Sequence, residues 1–76
     1  MTLVETFGRN VREARQEKGW SQEKLALEAG VKRAYLSEVE SGKRSATLSF
    51  AEKLAIALHC EPADLMKGWV NPGKVA

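Results

Sequence analysis

Lys32, Arg33, Lys43 and Arg44 bracket one short stretch of this sequence, with Ala34, Ser37 and Ser41 spaced between them. Cations at both ends and small residues between them suit a polyanion whose surface also offers hydrogen-bond donors and acceptors. Duplex DNA is such a surface. An arginine can donate two hydrogen bonds to guanine O6 and N7, and small side chains let a backbone approach base edges closely. Lys43 and Arg44, followed by the hydroxyls of Ser45 and Thr47, suit a grip on phosphates beside a groove. Gln22 falls in the first turn of a predicted helix, where free N–H groups and the helix dipole favour an anion.

The other chemistry-bearing residues point away from catalysis. His59 is the only histidine and Cys60 the only cysteine. One His-Cys neighbour pair cannot complete a tetrahedral zinc site, and a lone thiol forms no intrachain disulfide. Glu38 and Glu40 are two residues apart on a predicted helix and so do not share a face. An enzyme, a metal centre and a cofactor site are therefore not expected. The formal net charge of +2 is weak by itself; the clustering of the cations carries more information.

The elements that must position these groups read as helices. The 76 residues make one domain, predicted all-α with five short helices, a core over about 3–68 and a tail over 69–76. Leu3, Val4, Phe7, Val11 and Ala14 form one face of a helix over about 3–18, with Thr2 and Glu5 at capping-box spacing and Gly19 at its end. Ser21 caps a second helix, with Leu25, Ala26 and Ala29 inward and Gly30 at its end. A third runs from near Arg33 to near Ser41, with Leu36 and Val39 inward and Gly42 beyond. Arg33, Ala34, Ser37, Glu38 and Ser41 then share its outer side. Thr47 caps a fourth, with Leu48, Ala51, Leu54, Ala55 and Leu58 inward, and Pro62 opens a fifth that ends at Gly68. Two short helices joined through Gly30-Val31-Lys32 have the form of a helix-turn-helix, with 32–41 as the segment for the major groove. Trp20 is expected in the core beneath the first helix junction.

Ser21-Gln22-Glu23-Lys24-Leu25-Ala26, Ala29-Gly30-Val31, Tyr35-Leu36-Ser37 and Val39-Glu40-Ser41-Gly42 together resemble the Cro/repressor-type, or XRE, helix-turn-helix family. The resemblance runs from about Phe7 to Met66 and includes Lys53 to Leu58 and Pro62 to Leu65. Arg33 to Ser37 with Gly42-Lys43-Arg44 is similar, within it, to the controller proteins of restriction–modification systems. The resemblance implies a lambda-repressor-like fold and a transcription regulator that binds a palindromic operator as a homodimer. It implies a phosphate contact for Gln22 and a reading surface over Lys32, Arg33, Ala34, Tyr35, Ser37 and Glu38. It also implies a structural pair, Arg15 with Glu40, tying the first helix to the end of the third. Two departures stand out: Lys32 occupies a slot where a Ser or Thr cap is common, and Ser45-Ala46 stands where Asn or Pro is common.

Several roles stay open in the sequence. Glu38 can accept from cytosine N4, repel phosphates at wrong sites, or simply be solvated. Tyr35 can donate to a phosphate or pack at the helix edge. Leu65, Met66, Trp69 and Val70 form an apolar cluster that can fold back on the first helix or make a dimer contact, the latter favoured by the family. Double-stranded DNA and a second copy are the expected partners. Activation would add a contact to RNA polymerase, for which no residue stands out. The same fold as a protein-binding module is the alternative, which the outward cations argue against. Met1 to Glu5 lack the features of a signal peptide and no apolar run suits a membrane, so a cytoplasmic location is expected.

Overall fold

Thr2 sets where the first helix begins. Its hydroxyl accepts from the Glu5 N–H at 3.2 Å, and Glu5 Oε1 accepts from the Thr2 N–H at 2.9 Å. This reciprocal pair satisfies donors that a helix start leaves open. In the computed structural model, which describes residues 1–74, α1 runs Leu3–Glu17. Thr6, Phe7, Gly8, Val11 and Arg15 are buried along one side of it. Gly8 answers a close approach: a Cβ there would collide with the Val39 carbonyl oxygen and stand 3.1 Å from that of Glu40.

The Ser21 hydroxyl accepts from the Lys24 N–H at 3.0 Å and starts α2, Gln22–Ala29. Gly30 then takes a left-handed conformation at φ 69°, which costs a residue without Cβ little. The Val31 N–H reaches back to the Ala26 carbonyl at 2.9 Å, and Val31 packs half-buried against the core at the turn. From that turn α3 runs Arg33–Glu40. Thr47 accepts from the Phe50 N–H at 3.1 Å and starts α4, Leu48–Leu58, and a 3-10 turn at Pro62–Met66 follows.

Each α-helix sends at least one fully enclosed side chain to a common centre, Val11, Leu25, Leu36 and Leu54 among them. Leu65 joins them from the 3-10 turn. Burying a side chain of this size stabilises by about 1.5–3 kcal/mol. α1 packs on α3 and on the 3-10 turn, while α2 packs on α3 and α4. Asn10 fastens the 3-10 turn to α1, its amide donating to the Leu65 and Lys67 carbonyls at 3.0 and 2.8 Å.

The all-α architecture and the helix-turn-helix stand as expected, with three differences. The fifth helix is a single 3-10 turn, five residues long, held at its start by the Glu61 N–H donating to Asp64 Oδ2 at 3.0 Å. Leu48 points outward, 84% exposed. It shares the apolar side of α4 but lies in the first turn, where side chains lean toward the helix start and past the edge of the core. Trp20 is half-buried against the core rather than within it, with the Lys18 and Lys24 ammonium groups 5.3 and 5.7 Å from its ring centre.

Candidate nucleic-acid interface

The inner and outer sides of α3 differ sharply. Leu36, Val39 and Glu40 are buried, while Arg33, Ala34 and Glu38 are exposed and Ser37 is half-buried. Burial of the inner side fixes the rotation of the helix, so the outer side is presented in one orientation. Lys32 is the N-cap residue; its ammonium has no lone pair to accept a cap bond, and the side chain is exposed. Among the described residues, the side chains of Lys32, Arg33 and Lys43 form no ion pair. Three exposed cations therefore stand around one helix with their charges unspent.

Behind this surface lies a polar anchor. Arg15 Nε donates to Glu40 Oε2 at 2.8 Å and its Nη2 donates to Oε1 at 2.9 Å. The side chains of this pair are 11% and 2% exposed. Hydrogen bonding to Glu40 raises the Arg15 pKa above its ordinary value and outweighs the cost of burial. Arg15 Nη1 also donates to the Trp20 carbonyl at 2.8 Å, which holds the residue before the α2 cap.

Gln22 joins the same anchor, its Nε2 donating to Glu40 Oε1 at 3.0 Å. Its second amide hydrogen and its carbonyl oxygen remain available beside the first N–H groups of α2. The sequence pointed to Gln22 through its place in the helix, whereas its attachment to Glu40 depends on the packing of α1, α2 and α3. Arg12 was not singled out by the sequence. It lines a cleft of about 250 Å³ with Gln22, Ser37 and Ser41, and is exposed there. Its spacing of three from Arg15 on one helix was the available signal.

Tyr35 packs at the helix edge. Its ring lies 4.4 Å from that of Phe50, centre to centre, and its hydroxyl donates to the Ser45 carbonyl at 3.1 Å. Glu38 is paired: Arg44 Nε donates to its Oε1 at 2.8 Å. The Arg44 guanidinium also stands 5.3 Å over the Tyr35 ring.

The C-terminal apolar cluster divides. Leu65 is 2% exposed and belongs to the chain's own core, so it cannot be offered to a partner. This corrects its assignment to a seam, and the reason is the Asn10 clamp that draws the 3-10 turn onto α1. Met66 is half-buried, while Trp69 and Val70 are exposed. Trp69 and Val70 line a shallow cleft with Met1, Leu3 and Pro72 at the start of α1. Met66 borders a neighbouring apolar groove with Leu3, Phe7, Leu48 and Ala51. Of the tail expected over 69–76, residues 75 and 76 lie outside the described residues. Among those described, no helix is long and apolar enough to cross a membrane.

Two short helices at a left-handed glycine, the second buried on its inner side and flanked by exposed cations, define a helix-turn-helix DNA-binding domain. The chain belongs to the helix-turn-helix family of the Cro/repressor type: a family model described as "Helix-turn-helix" matches residues 11–65. It is similar to the control protein C.BamHI of Bacillus amyloliquefaciens, at 44% identity over 61 residues, 79% of this chain and 75% of that protein. Among solved structures it resembles the restriction-modification controller protein C.AhdI from Aeromonas hydrophila. That match has a TM-score of 0.79 and 45% identity, and covers 82% of this chain and 94% of the other. The hypothetical transcription factor NHTF from Neisseria matches with a TM-score of 0.81 at 40% identity, covering 86% and 75%.

Proposed function

We propose that this chain is a transcription controller, as its relatives are named, and that it binds a palindromic operator as a homodimer. The observation that carries the reading is the first turn of α3. Arg33 stands there exposed and, among the described residues, without an ion-pair partner, on a helix whose rotation Leu36 and Val39 lock. In this reading α3 enters the major groove and Arg33 reads a guanine through a bidentate pair. Lys32, Lys43, Gln22 and the first N–H groups of α2 meet phosphates on either side. Ala34 and Ser37 allow the helix to seat deeply, and Tyr35 supports the loop that carries Arg44.

The partner copy is proposed to cover the surface formed by Met66, Trp69 and Val70, with Leu48 at its rim. Exposed apolar groups gathered at one end favour such burial, and one domain of this size gains little affinity for DNA alone. Two copies paired there present two α3 helices to successive major grooves, about 34 Å apart.

Selection of bound sites from a random duplex pool tests the reading. An inverted repeat with half-sites about 10 base pairs apart, centre to centre, is expected. A pool that enriches no sequence, or one that enriches a single unrepeated element, overturns it.

A further inference from the structure

We propose that Glu38 decides on which DNA Arg44 is released to grip a phosphate, so that this pair discriminates the preferred site from random sequence. The inference rests on the DNA-binding reading above and assigns Glu38 and Arg44 a joint role within it.

The pair is preset by the backbone. The Lys43 N–H donates to the Glu38 carbonyl at 2.9 Å, and the Ser41 hydroxyl donates to the same carbonyl at 3.0 Å. Gly42 takes φ 77° between them, and the chain folds back over the end of α3. Arg44 therefore returns to the outer side of the helix, with Nε 2.8 Å from Glu38 Oε1. Tyr35 shapes the site from below, its ring 5.3 Å from the guanidinium and its hydroxyl bound to the Ser45 carbonyl. Lys32, Arg33 and Lys43 have no such acidic partner among the described residues. Of the cations around α3, Arg44 alone is held by a carboxylate on the reading surface itself.

The two side chains are 53% and 47% exposed, so water screens the pair and another anion can compete for the guanidinium. A phosphate is such an anion. Its capture of Arg44 leaves the Glu38 carboxylate facing DNA without its cation. An exocyclic amino group, cytosine N4 or adenine N6, then compensates by donating to the carboxylate. Guanine O6 or thymine O4 in that place sets acceptor against acceptor. Only a sequence with an amino group opposite Glu38 permits the exchange of partners. Elsewhere Arg44 stays on Glu38 and contributes no phosphate contact.

Salt dependence reads this directly, because each phosphate neutralised contributes about −0.9 to the log–log slope. Binding of the wild-type full chain, Arg44→Ala and Glu38→Gln is measured on the selected duplex and on a random duplex over a range of salt. Arg44→Ala is expected to flatten the slope on the selected duplex by about 0.9 per subunit and leave the random slope unchanged. Glu38→Gln is expected to steepen the random slope by the same amount and narrow the affinity ratio between the two duplexes. Thermal melts of both variants should match the wild type, since neither side chain is in the core.

Equal flattening on both duplexes with Arg44→Ala overturns the proposal, as does an unchanged random slope with Glu38→Gln. A chain that selects no site from the pool ends the DNA-binding reading and this inference with it. A chain that selects a site but shows either of those slope patterns ends this inference alone.

Discussion

Gln22 Nε2 donates to Glu40 Oε1 at 3.0 Å, so the amide assigned to the DNA backbone hangs from a carboxylate that the core buries. The same carboxylate takes two bonds from Arg15, which also holds the Trp20 carbonyl. One group thus serves the joint between α1 and α3, the loop before α2, and the first turn of α2. Stability and surface geometry share this anchor.

Arg15→Ala should be severely destabilising. It strands a buried carboxylate, a loss on the order of 3–5 kcal/mol. A domain of this size has a total stability of roughly 4–11 kcal/mol. Urea denaturation checks this. Replacing Arg15 and Glu40 together by apolar residues should cost much less than the two single changes added, because no charge is left alone. Gln22→Ala should lower the urea midpoint by less than Arg15→Ala, because Arg15 still holds the carboxylate, while weakening DNA binding. Additive single-site losses at Arg15 and Glu40 would show that the pair is not a unit.

Arg33→Ala is expected to cost about 1–3 kcal/mol on the preferred duplex and to relax preference at one base pair per half-site. Lys43→Ala should weaken selected and random duplexes alike, as loss of a phosphate contact does. Titration of both variants against both duplexes separates the roles. Equal losses on the two duplexes with Arg33→Ala would make Arg33 a backbone contact.

Trp69→Ala and Val70→Asp should shift the chain toward monomer in sedimentation at micromolar concentration while leaving its melting temperature near that of the wild-type monomer. Leu65→Ala belongs to another class. It opens a cavity in the core and should cost about 2–5 kcal/mol of stability. If Trp69→Ala and Val70→Asp leave the mass distribution unchanged, the partner surface lies elsewhere.

Acid should erode the chain through its caps. The Thr2 backbone N–H holds the Glu5 carboxyl below its ordinary pKa, and the Glu61 N–H does the same for Asp64, aided by Lys67. A depressed folded-state pKa means stability fully present above the unfolded value and lost as pH falls through the folded one. Melting temperature should therefore fall as pH drops through and below the ordinary carboxylate range. Glu5→Gln, which cannot titrate, should lie below the wild type at neutral pH and converge with it in acid. Parallel curves would remove Glu5 from this account.

Much of the frame was legible because its signals are local. Thr2, Ser21 and Thr47 bond to groups three residues away, so spacing alone located the helix starts. Gly30 marked the turn because the chain there needs a left-handed residue. What was not legible depends on partners far along the chain. Gly8 in a helix interior reads as a weak point until the Val39 carbonyl is found against it. Asn10 reads as a surface amide until two carbonyls from the 3-10 turn meet it. Each role the sequence allows Glu38 leaves its carboxylate unpaired, whereas Arg44 reaches it through a loop whose path periodicity does not describe. Leu48 and Leu65 were misplaced in opposite directions for one reason: a hydrophobic pattern names a face and says nothing of where its covering ends.

Because Gly8 seats α1 directly on the backbone at the end of α3, that helix is anchored by a residue that has no side chain to vary. Arg33, Ala34 and Glu38 lie on the far side of that helix, outside the core. In the reading proposed above, base contacts can therefore change without renegotiating the fold. On that reading a handful of substitutions re-aims the domain at other DNA, so long as the glycine stays.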